Sequence, residues 1–172
     1  VSLSAGTISK WNSSRAVNPQ SGAGVSDGSW EPLGNTYDAT QGIQWTADIS
    51  ETLSGSVAAY SLDRVFGSTS AGIFGSSADS ITSWAISTED DNAGEVIFNE
   101  SWDIPSGTSG STWVWTDASW EDDVFIISCK ETRRYYGFSL EDGDFMWQSE
   151  PENYLAFYDK WYGPAIGYGN FY

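Results

Sequence analysis

The sequence predicts an all-β chain built from repeats, and three observations carry that prediction. Aromatic and β-branched residues are interspersed with Gly, Ser and Asp, as in strands joined by tight turns. No long stretch places apolar residues at i, i+3, i+4 and i+7, so amphipathic helices are not expected. A strand–turn–strand pattern also returns along the chain at a period of about 50 residues.

In chain order, residues 1–36 differ in character from the rest. The alternation in residues 1–11 reads as one strand, and residues 18–34 read as a loop rich in Gly, Ser and Pro. From residue 37 the repeats begin. The first copy is Tyr37-Asp38-Ala39-Thr40-Gln41-Gly42-Ile43-Gln44-Trp45, with a hairpin turn expected near Gly42. The second is Ile81-Thr82-Ser83-Trp84-Ala85-Ile86, a polar loop turning at residues 90–94, then Gly94-Glu95-Val96-Ile97-Phe98. The third is Tyr136-Gly137-Phe138-Ser139-Leu140-Glu141-Asp142-Gly143-Asp144-Phe145-Met146-Trp147. Each copy closes on a large aromatic: Trp45, Phe98 and Trp147.

About 20 to 26 residues after each closing aromatic comes a turn running into an apolar strand. The sequence alignment sets Val65, Val124 and Phe171 at the same place in three such strands. In this reading the closing aromatics fill the space between neighbouring sheets, where one ring buries much apolar area. A four-stranded sheet cannot bury both faces alone, so such sheets must stack as blades around an axis. The alternative is a β-sandwich with aromatic core residues, which needs no such period. Ser- and Gly-rich runs at 67–80 and 106–112 read as loops between strands. Residues 37–172 hold about three repeats with the last cut off, below the 4–8 blades of a closed propeller. The expectation is an incomplete propeller, finished by further sequence, another chain or a donated strand, for which residues 1–8 are the natural donor.

The hairpins at 37–45 and 136–147 resemble the Asp, Gly, Trp hairpin of pyrroloquinoline-quinone-like propeller repeats, over roughly residues 37 to 172. The resemblance implies a blade type rather than a cofactor. Quinone-holding members of the family use a complete propeller axis, a calcium and usually a disulfide between adjacent cysteines. A chain with one Cys cannot form that disulfide, and no segment matches the family's calcium ligands or catalytic aspartate. The likeness is closer to members that serve as scaffolds.

Composition narrows the chemistry. With 24 acidic residues against 7 basic ones, the net charge of −17 repels phosphate backbones and anionic lipid, so neither nucleic acid nor membrane is an expected partner. No apolar stretch is long enough to span a bilayer as a helix. The absence of His removes the commonest general base and transition-metal ligand. Cys129, in an apolar run, reads as a buried structural thiol. The clusters Glu89-Asp90-Asp91-Asn92, Glu121-Asp122-Asp123 and Glu141-Asp142-Gly143-Asp144 offer hard oxygen ligands that suit calcium, but each falls where a turn itself favours Asp and Asn. Paired carboxylates with exposed Trp would suit glycoside cleavage. Trp45, Trp84, Trp113, Trp115, Trp120 and Trp147 read instead as core, with Trp113 and Trp115 on one face of a strand.

Asn12 and Asn99 head acceptor sequons and are candidate glycosylation sites. With the acidic, Ser/Thr-rich composition they place the chain at the cell surface or outside the cell. No catalytic residue, metal site or cofactor is expected. The expected function is a non-catalytic scaffold or interaction module that engages other chains or self-assembles. The alternative is a piece of a quinoprotein-type or carbohydrate-active enzyme.

Overall fold

The computed structural model describes residues 2–4, 6–17, 38–70, 76–77, 79–151 and 166–171. The first sheet joins β1 (Ser2–Ser4), β2 (Thr7–Trp11) and β3 (Ile43–Asp48). A short helix α1 (Ser13–Val17) and a 3-10 turn (Ala39–Gly42) lie between β2 and β3. The second sheet is the meander β4 (Ser56–Tyr60), β5 (Arg64–Ser68), β7 (Ser80–Ser87) and β8 (Val96–Asp103). The third is the meander β9 (Thr112–Ser119), β10 (Val124–Cys129), β11 (Arg134–Ser139) and β12 (Phe145–Gln148). A hairpin of β13 (Ile166–Gly167) and β14 (Asn170–Phe171) follows. Among the described residues all pairings are antiparallel and no sheet closes on itself.

The sheets stack because strand alternation gives the second sheet two apolar faces. Phe66, Ala85 and Phe98 pack against Phe125, Ile127, Tyr136 and Phe138 of the third sheet. Val65, Trp84 and Ile86, one residue out of phase, pack against Ile8, Trp45 and Ala47 of the first. Rings meet directly across the second and third sheets, Phe66 on Phe125 at 4.5 Å between centroids. Each fully buried side chain of this size contributes about 1.5–3 kcal/mol. A two-layer sandwich leaves one face of each sheet to solvent. Three layers with a doubly covered middle sheet are a different architecture.

The repeat is visible in hydrogen-bond register. Lys10 pairs with Trp45 and Trp11 with Ile43. Ala85 pairs with Phe98 and Ile86 with Val96. Gly137 pairs with Trp147 and Phe138 with Phe145. In each sheet one extra residue on the outer strand, Gln44, Ile97 or Met146, forms a bulge at the same place. The next backbone bond also recurs: Asn12 N to Gly42 O, Ser87 N to Glu95 O and Ser139 N to Asp144 O, at 2.8, 2.9 and 2.9 Å. A second shared bulge inserts Ala58 in β4 and Thr116 in β9.

Several expectations need correction. Residues 1–11 are not one strand: the chain reverses at Gly6, and Leu3 pairs with Ile8. Pairing of β2 with β3 crosses the expected boundary at residue 36, so the N-terminal segment belongs to the first repeat. Ile8 is buried against the second sheet, which commits the expected donor strand to its own chain. No hairpin turns at Gly42, which ends the 3-10 turn; the partner of β3 comes from residues 7–11 (Tyr37 lies outside the described residues). The second landmark is one residue out in the middle copy. Arg64 and Val124 are equivalent, since Arg64 pairs with Ser87 and Val124 with Ser139. The cause is turn length: Ser61 N donates to Arg64 O at 2.9 Å, so the turn between β4 and β5 narrows to Leu62 and Asp63, whereas residues 120–123 join β9 to β10. The run at 67–80 is more than a loop. It carries β6 (Ser76–Ser77), which crosses to the third sheet and pairs with β9.

Candidate functional site

The meander brings two kinds of turn to one end of the stack: those joining the first strand of a sheet to the second, and those joining the third to the outer strand. Thr88 N donates to Asp63 O and Leu140 N to Asp123 O, tying the two kinds together in the second and third sheets. Arg64 Nη1 donates to Leu140 O at 3.2 Å, and Asp122 Oδ1 accepts from Gly169 N at 2.9 Å. These bonds join the second sheet, the third sheet and the final hairpin into one surface.

All three acidic clusters lie on this end, and hydrogen bonds account for their geometry. Ser87 and Ser139, the last residues of equivalent strands, accept the amides of Glu89 and Glu141 at 3.2 and 3.1 Å. Asp142 Oδ1 accepts from Asp144 N, and Asp122 Oδ2 from Ser119 Oγ. Asp90 accepts from Trp45 Nε1 at 2.9 Å and lies 3.5 Å from Lys10 Nζ, so it links a turn of the second sheet to the first. Among the described residues no group of three carboxylates or cysteines is placed to hold a metal ion.

The electrostatics differ from turn to turn. The Ser61 hydroxyl holds Asp63 below the usual carboxylate value against the opposing effect of burial, with Arg64 adding to the lowering. Asp123 is pushed up, first by burial and then by the Glu141 carboxylate, with Arg64 opposing. Away from this end, the Thr40 hydroxyl and amide hold Asp38 low at the start of the 3-10 turn.

The turn tips carry large apolar side chains in water. Leu62 is 96% exposed, Trp120 36% and Tyr168 93%. Each lies in the turn after the first strand of its meander or hairpin: Leu62 two residues past β4, Trp120 and Tyr168 directly past β9 and β13. Tyr168 and Gly169 both have positive φ, as a two-residue hairpin turn of the primed type requires. This row was missed by the sequence reading, which counted Trp120 as core. Its signal was present: an apolar residue in each turn, where Asp or Gly would suffice.

The other candidate residues divide. Phe98 is buried, whereas Trp45 and Trp147 are half-buried. Trp147 packs against Gly137, where an added Cβ would come within 2.2 Å of the indole. Trp113 and Trp115 both join the core between the second and third sheets, and Cys129 is buried there as a free thiol. The indole N–H of Trp113 is buried without a hydrogen-bond acceptor. Asn12 and Asn99 are both half-buried within hydrogen-bonded structure. The backbone oxygen of Asn12 accepts from Arg15 and Ala16, and Asn99 Nδ2 donates to Glu51 at 2.9 Å. No family model matches the chain, and no curated protein matches it.

Proposed function

We propose that the chain is a non-catalytic scaffold or interaction module of a surface or extracellular repeat protein, its sheets acting as propeller-type blades of the pyrroloquinoline-quinone-like kind. The carrying observation is the bulge that recurs beside Trp45, Phe98 and Trp147 in three stacked sheets. Repeat units retain such a feature, whereas an irregular stack has no physical cause to place it three times alike.

A second observation supports a scaffold over a quinone-holding enzyme. Blades surround a central channel, and the first strand of each lines it. In the third sheet that strand is β9, and β6 pairs along its open edge. In a blade arrangement β6 would lie on the channel side of β9, where an axial ligand would need space. Remaining strand edges are then covered by further sequence or by other chains. The acidic, Ser- and Thr-rich composition supports the location.

The test is titration of the intact protein with pyrroloquinoline quinone in the presence of calcium, followed by absorbance. No saturable spectral change is expected up to about 100 μM quinone. Stoichiometric saturation would show a cofactor-holding protein instead.

A further inference from the structure

We infer that Leu62, Trp120 and Tyr168 form a docking row for a basic amphipathic helix of a partner protein. The inference rests on reading the chain as an interaction module and names the partner of that surface. The acids alone do not mark a site, since their turns account for them. What needs explanation is the exposed apolar row. Single exposed apolar residues are ordinary, but these three occupy the same turn in successive units, 96%, 36% and 93% exposed. The turns are held together through Arg64 to Leu140 and Asp122 to Gly169, so the tips share one surface.

Charge selects the partner. Acidic clusters flank the tips, and the nearby Arg64 is already paired with Asp63 at 3.2 Å. A second copy of this chain would bring another net charge of −17 to the contact, which argues against self-association through this face. A Lys- and Arg-rich segment is complementary.

Spacing selects its conformation. Sheets packed face to face stand about 10 Å apart, and that generic spacing is the one expected between tips of successive units. A helix rises 1.5 Å per residue, so apolar residues about seven apart lie on one face at about 10 Å. In an extended strand the same distance is about three residues, and residues three apart point to opposite faces. A helix of about 15 residues with apolar side chains every seventh position matches the whole row.

The probes are two fluorescently labelled Lys-rich helical peptides of one composition, one with leucines every seventh residue and one with them scattered around the helix. Binding is read by anisotropy on the full chain and on the L62S/W120S/Y168S variant, with circular dichroism to confirm that the variant is folded. The patterned peptide is expected to bind wild type about tenfold more tightly than the scattered one. The variant should lose that preference, and salt raised from about 50 to 500 mM should weaken both peptides. Equal binding of both peptides to wild type and variant would reduce the surface to unspecific charge and overturn the inference. So would a chito-oligosaccharide that binds wild type and not the variant, which would assign the row to carbohydrate. Either failure leaves the scaffold reading standing, because that is decided by the quinone titration.

Discussion

Gly94 and Gly143 occupy the same position in successive sheets, and each lays its bare α-carbon against the outer strand of the sheet before. Both stand at positive φ, +86° and +83°. A Cβ on Gly94 would lie 2.6 Å from the Asp48 carbonyl oxygen of β3, and one on Gly143 would lie 2.8 Å from the Phe98 ring of β8. The contact is thus part of the repeat: besides the apolar faces, the turn before each outer strand is a point at which a sheet docks on its predecessor.

Alanine at these positions separates docking from backbone conformation. Gly107 has φ +87° with nothing within 4 Å of an added Cβ, so Gly107→Ala reports backbone cost alone, about 1–2 kcal/mol. Gly143→Ala adds overpacking against a ring, and Gly94→Ala adds a clash with backbone that has less room to move. Both are expected to cost about 1–3 kcal/mol beyond the Gly107 control, with Gly94→Ala the larger, read as midpoint shifts in urea at unchanged m. Three equal shifts would mean that the turns do not carry the stacking.

The closing aromatics are equivalent in register and unequal in burial, which predicts a graded series. Phe98 is 6% exposed between two sheets, so Phe98→Ala should cost about 3–5 kcal/mol. Trp45 and Trp147 are half-buried, and their alanine variants should cost about half as much. Thermal and urea denaturation of the three variants check the order, and Trp147→Ala matching Phe98→Ala would refute it.

That gradation also marks what was legible in the sequence. Trp45, Phe98 and Trp147 could be found because a bulge holds each at one register position, and a constant register leaves a nearly constant spacing. The alignment of Val65 with Val124 failed because spacing is blind to turn length, and two extra turn residues moved the register by one. The two halves of the first repeat lie on either side of residues 12–42, so the partnership of Lys10 with Trp45 had no local signal. β6 was hidden for another reason: a two-residue strand of serines has no alternation to read. Trp120 was assigned to the core because composition ranks Trp as buried, whereas its place at a turn tip is a tertiary fact.

Asp123 and Asp63 predict opposite responses to pH. The Asp123 carboxyl is raised above 3.8 by burial and by Glu141, so the unfolded chain releases this proton first. Its contribution is full below about pH 3.8 and is lost as pH rises through the raised value. Asp123→Asn should therefore stabilise at neutral pH, and the gain should vanish below about pH 3.8. Asn also tolerates the φ of 53° found at this residue. Asp63 is lowered by Ser61, so its contribution is present above about pH 3.8 and lost as pH falls through the depressed value. Asp63→Asn should destabilise at neutral pH. Both carboxyls keep contact with water, which limits each effect to about 1 kcal/mol or less. Urea midpoints from pH 3 to 7, taken as about four points across that window, check the signs. A loss of stability in Asp123→Asn at neutral pH would contradict the account.

The tie between the second and third sheets also runs through buried serines at the start of the crossover that carries β6. Ser68 is fully buried, and its hydroxyl sits 2.9 Å from Ser70 Oγ while accepting from Ser70 N and Ser83 Oγ, both at 3.2 Å. Ser70 O in turn accepts from Trp115 N of the third sheet at 3.0 Å. Ser68→Ala removes one acceptor and leaves a buried amide and a buried hydroxyl without it, a loss of about 1–3 kcal/mol. Ser106→Ala, at an exposed turn position outside both sequons, is the control and should change stability by less than about 0.5 kcal/mol. Because Ser70 sets the carbonyl that holds Trp115, hydrogen exchange should quicken at the Trp115 amide by more than the global loss accounts for. If Trp115 kept its full protection in Ser68→Ala while stability fell, the serines would brace only their own sheet, and among the described residues the crossover's tie would rest on the pairing of β6 with β9.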